Sequence, residues 1–315
     1  MKILHSNLTT KHNTASSTEG AYRVDKFTET VSEADVLARL GKTQTDILAV
    51  HTVEYMNFLK TACTHEVELA EVDLTESSWT AMLASTTLAV MAAEGGDFAV
   101  SRPPGHHASE NMASGFCFFN NVAIAAKAIA GKTRRVCIID IDGHHGNGTQ
   151  EIFRNDGNVL FCSLHQDQQW PNTGLVTESY MGPDRQNVID LPLPAGSGND
   201  VFKMACGFIL THMERFNPDI IALSAGFDGY IEDRLLDLQF TTGAYNWLGE
   251  QLRQRGKQTF AVLEGGYHRK VFECVSALVS GFNGEHYTTA ELPTKSSAAV
   301  ITEVQNTFSI AKSNL

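Results

Sequence analysis

The 315-residue chain reads as an α/β fold, a central, mainly parallel sheet flanked by helices on both faces. Three observations carry that reading. Short apolar, β-branched runs recur along the chain, capped helical stretches separate them, and unusual polar segments follow the runs. FAVS (98–101), VCIIDID (136–142), VLFCSLH (159–165), DIIALSA (219–225) and FAVLE (260–264) have the length and apolarity of strands buried on both faces. Residues 77–94 open on serine caps and stop before Gly95-Gly96, and residues 120–130 stop at Gly131. Residues 199–216 open on an asparagine cap, and residues 241–255 stop at Gly256. With no repeat, low-complexity linker or break in composition, this alternation fits a single domain over residues 1–315. Residues 166–198, rich in Gly, Pro and Asn, read as a long functional loop, and the polar segment after about Gly284 as a peripheral tail or edge.

Composition excludes several classes. Hydrophobic residues make up 43% and charged residues 19%, a globular rather than a disordered balance. No apolar run reaches the ~20 residues of a membrane helix, and MKILHSNLTT lacks the apolar core of a secretory signal. A net charge of −12 argues against a nucleic-acid or anionic-membrane surface. Cys63, Cys117, Cys137, Cys162, Cys206 and Cys274 are scattered, with no C-x-x-C pair, and read as reduced structural thiols of a cytoplasmic protein. The oddity is twelve histidines.

Four segments fall at the C-terminal ends of expected strands, the edge at which open α/β sheets bind ligands. They are SRPPGHHA (101–108), DIDGHHGNGT (140–149), SAGFD (224–228) and EGGY (264–267). At an extended strand end, residues i and i+2 point the same way, so Asp142 and His144 can grip one cation. Asp228 would add a third ligand, leaving positions open for water and a carbonyl oxygen, as in a catalytic zinc site. His106 and His107 follow the restricted Pro103-Pro104-Gly105 loop. One can take a proton from water while the other stays cationic, and partners decide which; Asp140 and Asn147 are the candidates. The Tyr267 phenol, after Gly265-Gly266, can donate to a developing oxyanion. His165 reads as a support rather than a ligand, and His145, beside a ligand but facing away, is ambiguous. His5, His12, His51, His65, His212, His268 and His286 read as ordinary.

These motifs, with GFCFFNNVAIAA (115–126), SLH (163–165), LSAGFD (223–228) and LEGGYH (263–268), run in a known order over about residues 45–280. In them the chain resembles the zinc-dependent histone deacetylases, on the class II side, with their bacterial acetylpolyamine amidohydrolase relatives. The resemblance implies an arginase/deacetylase-like fold and one zinc per chain on Asp142, His144 and Asp228. It implies His107 as general base, His106 as its electrostatic partner paired with Asp140, Asn147 facing His107, and Tyr267 as oxyanion donor. Phe116, next to Gly115, and Trp170 would wall an acyl-lysine tunnel, with Leu235 at its gate. A structural potassium ion would take the side chains of Asp140 and Ser163 and the carbonyls of Asp142, His144 and Leu164. The implied reaction removes acetyl, or a related acyl group, from lysine side chains of a protein or peptide. The alternatives are an acetylpolyamine or other small-molecule deacetylase, and an inactive acyl-lysine-binding scaffold. Neither nucleic acid nor membrane is an expected partner, and self-association is left open.

The rim departs from the family. Arg234 stands where proline is usual in GYIEDRLLDL (229–238), and Leu235 where the polyamine-preferring eukaryotic branch places Glu. Leu there leaves no carboxylate to greet a distal amine. MGPDRQNVIDLPL (181–193) replaces the usual Gly-rich turn, and HNTASSTEGAYRV (12–24) replaces an N-terminal His-Pro-Glu pattern. With a single Asp-x-His, a two-metal, arginase-type site is not expected.

Overall fold

A computed structural model describes residues 1–12, 18–182 and 187–315. The chain begins with β1 (Ile3–Leu4), α1 (Glu33–Ile47) and α2 (Val53–Thr64), then a small antiparallel hairpin of β2 (Glu68–Leu69) and β3 (Val72–Asp73). Next come α3 (Glu76–Gly95), β4 (Phe98–Ala99), α4 (Asn121–Ala130), β5 (Val136–Asp140) and α5 (Asn147–Ile152). After them follow β6 (Val159–Gln166), β7 (Asn187–Leu193), α6 (Asn199–Phe216) and β8 (Ile220–Ala225). The chain ends with α7 (Thr242–Gln254), β9 (Gln258–Leu263), α8 (Val271–Asn283) and α9 (Ala298–Asn314).

Among the described residues, seven strands form one sheet in the order β1-β4-β9-β8-β5-β6-β7, every neighbouring pair parallel. From β5 the chain winds outward through β6 to β7, then returns to lay β8 on the other flank of β5. The order reverses between β5 and β8, which makes their C-terminal ends the natural crevice. Alternate residues feed two cores. Cys137 and Ile139 of β5 join Ile221 and Leu223 of β8 on one face, while Val136, Ile138, Ile220 and Ala222 join the other.

Local chemistry sets the helix ends. Ser32, Thr52 and Asn120 side chains accept backbone N–H groups at the starts of α1, α2 and α4, and left-handed Gly96 (φ 73°) ends α3. Asn199, expected as a cap, is instead the first residue of α6. Its amide accepts from Thr241 N–H (2.9 Å) and donates to Thr241 Oγ1 (2.8 Å), fastening α6 to the start of α7.

One expectation is corrected and another sharpened. Residues 166–198 are not all loop, because they contain β7, paired with β6 from Leu160↔Asn187 to Gln166↔Leu193. Asp190 and Pro192 break the apolar pattern that would have shown it, and an edge strand tolerates proline. The C-terminal segment stays peripheral, as expected, but is a packed helix rather than an irregular tail. Ser297 caps α9, which buries a narrow stripe of Val304, Thr307 and Ala311 and stacks Phe308 on Phe208 (4.9 Å). The altered segments at 12–24 and 181–193 are described only in part, since residues 13–17 and 183–186 lie outside the described residues.

One of the histidines read as ordinary is built into the frame. His51 lies against the Glu110 carbonyl through Nδ1 (3.0 Å), and its Nε2 accepts the N–H of Asn120 (2.9 Å), the cap of α4. Burial lowers its pKa to about 4, and burial lowers that of His5 to about 4 as well. The folded protein therefore keeps both neutral while an unfolded chain protonates them near 6.5, so stability is full above about pH 6.5 and falls towards pH 4. Denaturant melts are expected to show His51 alone removing on the order of 2 kcal/mol by pH 5. The acid-induced loss should be smaller by about that amount in His51→Gln, and an equal loss in both proteins would contradict the assignment.

Candidate active site

At the C-terminal edge of the sheet, Asp140 of β5 pairs in register with Ser224 of β8 and Ser163 of β6. The ladder of β5 stops at Asp140, because Asp142 N–H turns back to Asp140 Oδ1 (3.0 Å). His144 N–H then donates to Asp142 Oδ1 (2.9 Å), Gly143 N–H to Asp228 Oδ1 (2.6 Å) and Gly265 N–H to Asp142 Oδ2 (2.7 Å). Backbone donors from two strand ends thus hold both carboxylates. His144 Nδ1 lies 2.6 Å from Asp228 Oδ2 and 3.4 Å from Asp142 Oδ1, and donor atoms of all three residues fall within 4.8 Å of one another.

This donor set fits a divalent cation. Asp142 and Asp228 are 1% exposed, so burial resists charge on each. Burial and then the neighbouring Asp142 charge raise the Asp228 pKa to about 7. Two carboxylates and an imidazole nitrogen at such spacing match zinc's preference for mixed O and N ligands, with room for substrate. A second cluster, His106, Cys117 and Glu264, does not fit. His106 Nδ1 bonds Asp140, the Glu264 oxygens already accept three hydrogen bonds, and burial pushes the Cys117 thiol well up.

The tandem histidines differ through their partners. His106 Nδ1 is 3.0 Å from Asp140 Oδ2, and His107 Nδ1 is 2.8 Å from Asn147 Oδ1. Burial opposes charge on His106, but Asp142 and Asp140 outweigh it and raise its pKa to about 10. Burial, then the His106 charge, pushes His107 well below the usual range, and its amide partner offsets little. One ring is cationic and its neighbour neutral.

Of these groups His107 and His144 line a pocket of about 300 Å³. His107, His144 and Tyr267 form its floor, Gly115, Phe116 and Trp170 its walls, and Leu235 and Glu71 its rim. Phe116 packs edge-on against Tyr267 (5.6 Å) and Trp170 against His107 (4.5 Å). Burial raises the Tyr267 pKa well above 10, so the phenol keeps its proton. His145 turns away from the three donors towards Thr173 (2.8 Å), Gln150 (2.9 Å) and Asp190 (3.3 Å), while His165 bonds Ser163 Oγ (2.9 Å) and the Gly174 carbonyl (3.0 Å).

The structure adds residues the sequence reading missed. Buried Arg23 donates to the carbonyls of Gly266 (2.6 Å) and Glu264, with its guanidinium 4.8 Å from the Tyr267 ring centre. Asp233 accepts the N–H of Tyr267 (2.7 Å) and of Leu235 (3.0 Å), joining phenol and rim. Glu71, at the tip of the β2–β3 hairpin, is an exposed acidic residue that lines the pocket with Leu235. Arg23 and Asp233 lie in the stretches 12–24 and 229–238 already marked as departures, but only buried Glu264, in EGGY, carried a signal of its own.

A parallel α/β sheet that gathers metal-type donors, a histidine pair and a phenol at its C-terminal edge has the equipment of a hydrolase acting on a carbonyl. The histone deacetylase domain model matches residues 17–282, and the chain belongs to that family. A protein named "Probable deacetylase" from Methanothermobacter thermautotrophicus is 33% identical over 305 residues, 91% of this chain and 92% of its own length. Acetylpolyamine amidohydrolase 1 of Pseudomonas aeruginosa is 36% identical over 207 residues, 62% of this chain and 60% of that protein. Among solved structures, the HDA15 HD domain has a TM-score of 0.85 at 26% identity, covering 99% of this chain and 94% of that one.

Close packing makes the donor set testable. A Cβ on Gly265 would lie 2.5 Å from Asp142 Oδ2 and 2.9 Å from Asp228 Oδ2. Gly265→Ala is therefore expected to displace both carboxylates and cut turnover by about 10²-fold or more in a protein that still folds. Turnover at the wild-type rate would show that the methyl is accommodated without displacing the carboxylates, and would contradict the packing argument.

Proposed function

We propose that the protein hydrolyses acetyl-lysine side chains of a protein or peptide, with residues 1–315 acting as one catalytic domain. The observation that carries this is the pocket itself: aromatic walls suited to a slender aliphatic chain, ending on His107, His144 and Tyr267. Asp142, His144 and Asp228 would hold one zinc ion, which when bound supplies Lewis acidity that polarises the amide carbonyl and acidifies water. His107 Nδ1–H donates to Asn147, leaving Nε2 to accept the proton of the attacking water and later return it to the amine as the C–N bond breaks. His106, kept cationic by Asp142 and Asp140, and the Tyr267 O–H stabilise the negative charge gathering on the former carbonyl oxygen. The products are acetate and a free amine. Asp140 and Ser163, adjacent in register, support the reading of a structural potassium ion, with the carbonyls of Asp142, His144 and Leu164. Six buried, free cysteines support a reducing, cytoplasmic setting, and no helix among the described residues is long and apolar enough to cross a membrane.

Glu71 favours a second reading. An exposed carboxylate at the rim suits the distal ammonium of an acetylated polyamine. The two substrates part on kcat/KM: acetyl-lysine peptides are expected to be preferred, and a polyamine preference of about 10²-fold or more overturns that order. Glu71→Gln should lower whatever polyamine turnover exists more than peptide turnover.

Tyr267→Phe is expected to lower kcat by about 10²–10³-fold, on the scale of a lost oxyanion donor, with zinc content unchanged. Metal analysis should find one zinc per chain, lost on chelation and much reduced in Asp228→Asn. Two zinc ions per chain, or full Tyr267→Phe turnover, would contradict the mechanism.

A further inference from the structure

Glu264 is wholly buried, lies among the catalytic groups and touches none of the atoms that would react. Its Oε2 accepts the N–H of Gly105 (2.7 Å) and of His106 (3.1 Å), while Oε1 accepts the hydroxyl of Ser224 on β8 (3.1 Å). We infer that Glu264 is a positioning residue, a strut that sets the height of the tandem-histidine loop above the ends of β8 and β9. The inference rests on the deacetylase reading and extends it to a residue that reading leaves idle.

Past β4 the loop leaves the sheet, and among the described residues the His106 carbonyl is held by Thr149 N–H of α5 (3.1 Å), while Glu264 takes the N–H groups of Gly105 and His106. The far side of the loop is clamped: Ser85 Oγ and Asn121 Nδ2 both donate to the Pro103 carbonyl (2.8 and 3.2 Å), and a Cβ on Gly105 would lie 2.5 Å from Asn121 N. Glu264 supplies the near side. The same short turn also donates Gly265 N–H to Asp142, offers the Gly266 carbonyl to Arg23 and carries Tyr267. Four consecutive residues therefore fix the distances between histidine pair, metal donors and phenol. Length is what the strut requires, since an amide of equal reach can accept both N–H groups and donate to Ser224.

The test compares zinc-loaded wild type with Glu264→Asp, which keeps charge but shortens the reach by about 1.5 Å, and Glu264→Gln, which keeps reach but loses charge. Turnover of one acetyl-lysine peptide is measured with KM and bound zinc determined separately. Glu264→Asp is expected to lose about 10- to 100-fold in kcat with KM within about twofold and zinc unchanged, because small misplacements of catalytic groups are costly. Glu264→Gln should stay within about fivefold of wild type, and Ser224→Ala should lose about three- to tenfold. The inference falls if Glu264→Asp turns over normally, if Glu264→Gln is as impaired as Glu264→Asp, or if the loss tracks lost zinc. If thermal melts show neither Glu264 variant folded, Ser224→Ala decides: lowered kcat at constant KM and zinc supports the strut, and unchanged kcat overturns it. An inactive, zinc-replete wild type would overturn the deacetylase reading and this inference with it. An active wild type with an unaffected Glu264→Asp overturns the inference alone.

Discussion

Asp142 and Asp228 place two carboxylates where there is almost no water, and each is expensive to charge there. Much of the neighbouring structure answers that cost. Backbone N–H groups of Gly143, His144 and Gly265 take the outer lone pairs, and His144 Nδ1 faces inward between the two acids. The glycines are needed because the backbone must come this close: at Gly226 a Cβ would lie 2.0 Å from Asp142 Oδ2. A negative pit built this way suits a cation, in keeping with the donor set that Asp142, His144 and Asp228 bring together.

The same pit polarises its surroundings. His106 is drawn into the cationic form by Asp142 and Asp140, and its charge, together with burial, keeps His107 neutral. Two adjacent residues of one type thus become unlike reagents, with no difference in covalent chemistry between them. Arg23 is balanced by Glu19 (2.9 Å), which also meets Arg102 (3.1 Å), so the Tyr267 turn is held by a buried charge group rather than by surface ion pairs.

How far the sequence revealed this depended on the range of each interaction. The inner strands and α3, α4, α6 and α7 were legible because each is a continuous apolar or capped stretch. β7 was hidden by Asp190 and Pro192, and α9 by a buried stripe too narrow to mark a polar segment. The histidine pair, Asp142, His144, Asp228 and Tyr267 stood out because each sits in a dense local motif at a strand end. Arg23 and Asp233 act on a turn 243 and 34 residues away, and nothing in their own neighbourhoods announces it. Glu71 reaches the rim only because the hairpin folds over it.

The adjacency of β5 and β8 has a consequence for how the protein matures. The two strands lie side by side, yet α5, β6, β7 and α6 are synthesised between them. A growing chain carries Asp142 and His144 long before Asp228 exists, and closing the intervening loop must precede any three-point grip on a metal. Capture of the proposed metal would therefore be a late event, coupled to docking of β8 against β5, and a chain truncated before that strand would have only two of the three donors. The three donors thus come together only when the central crossover has closed.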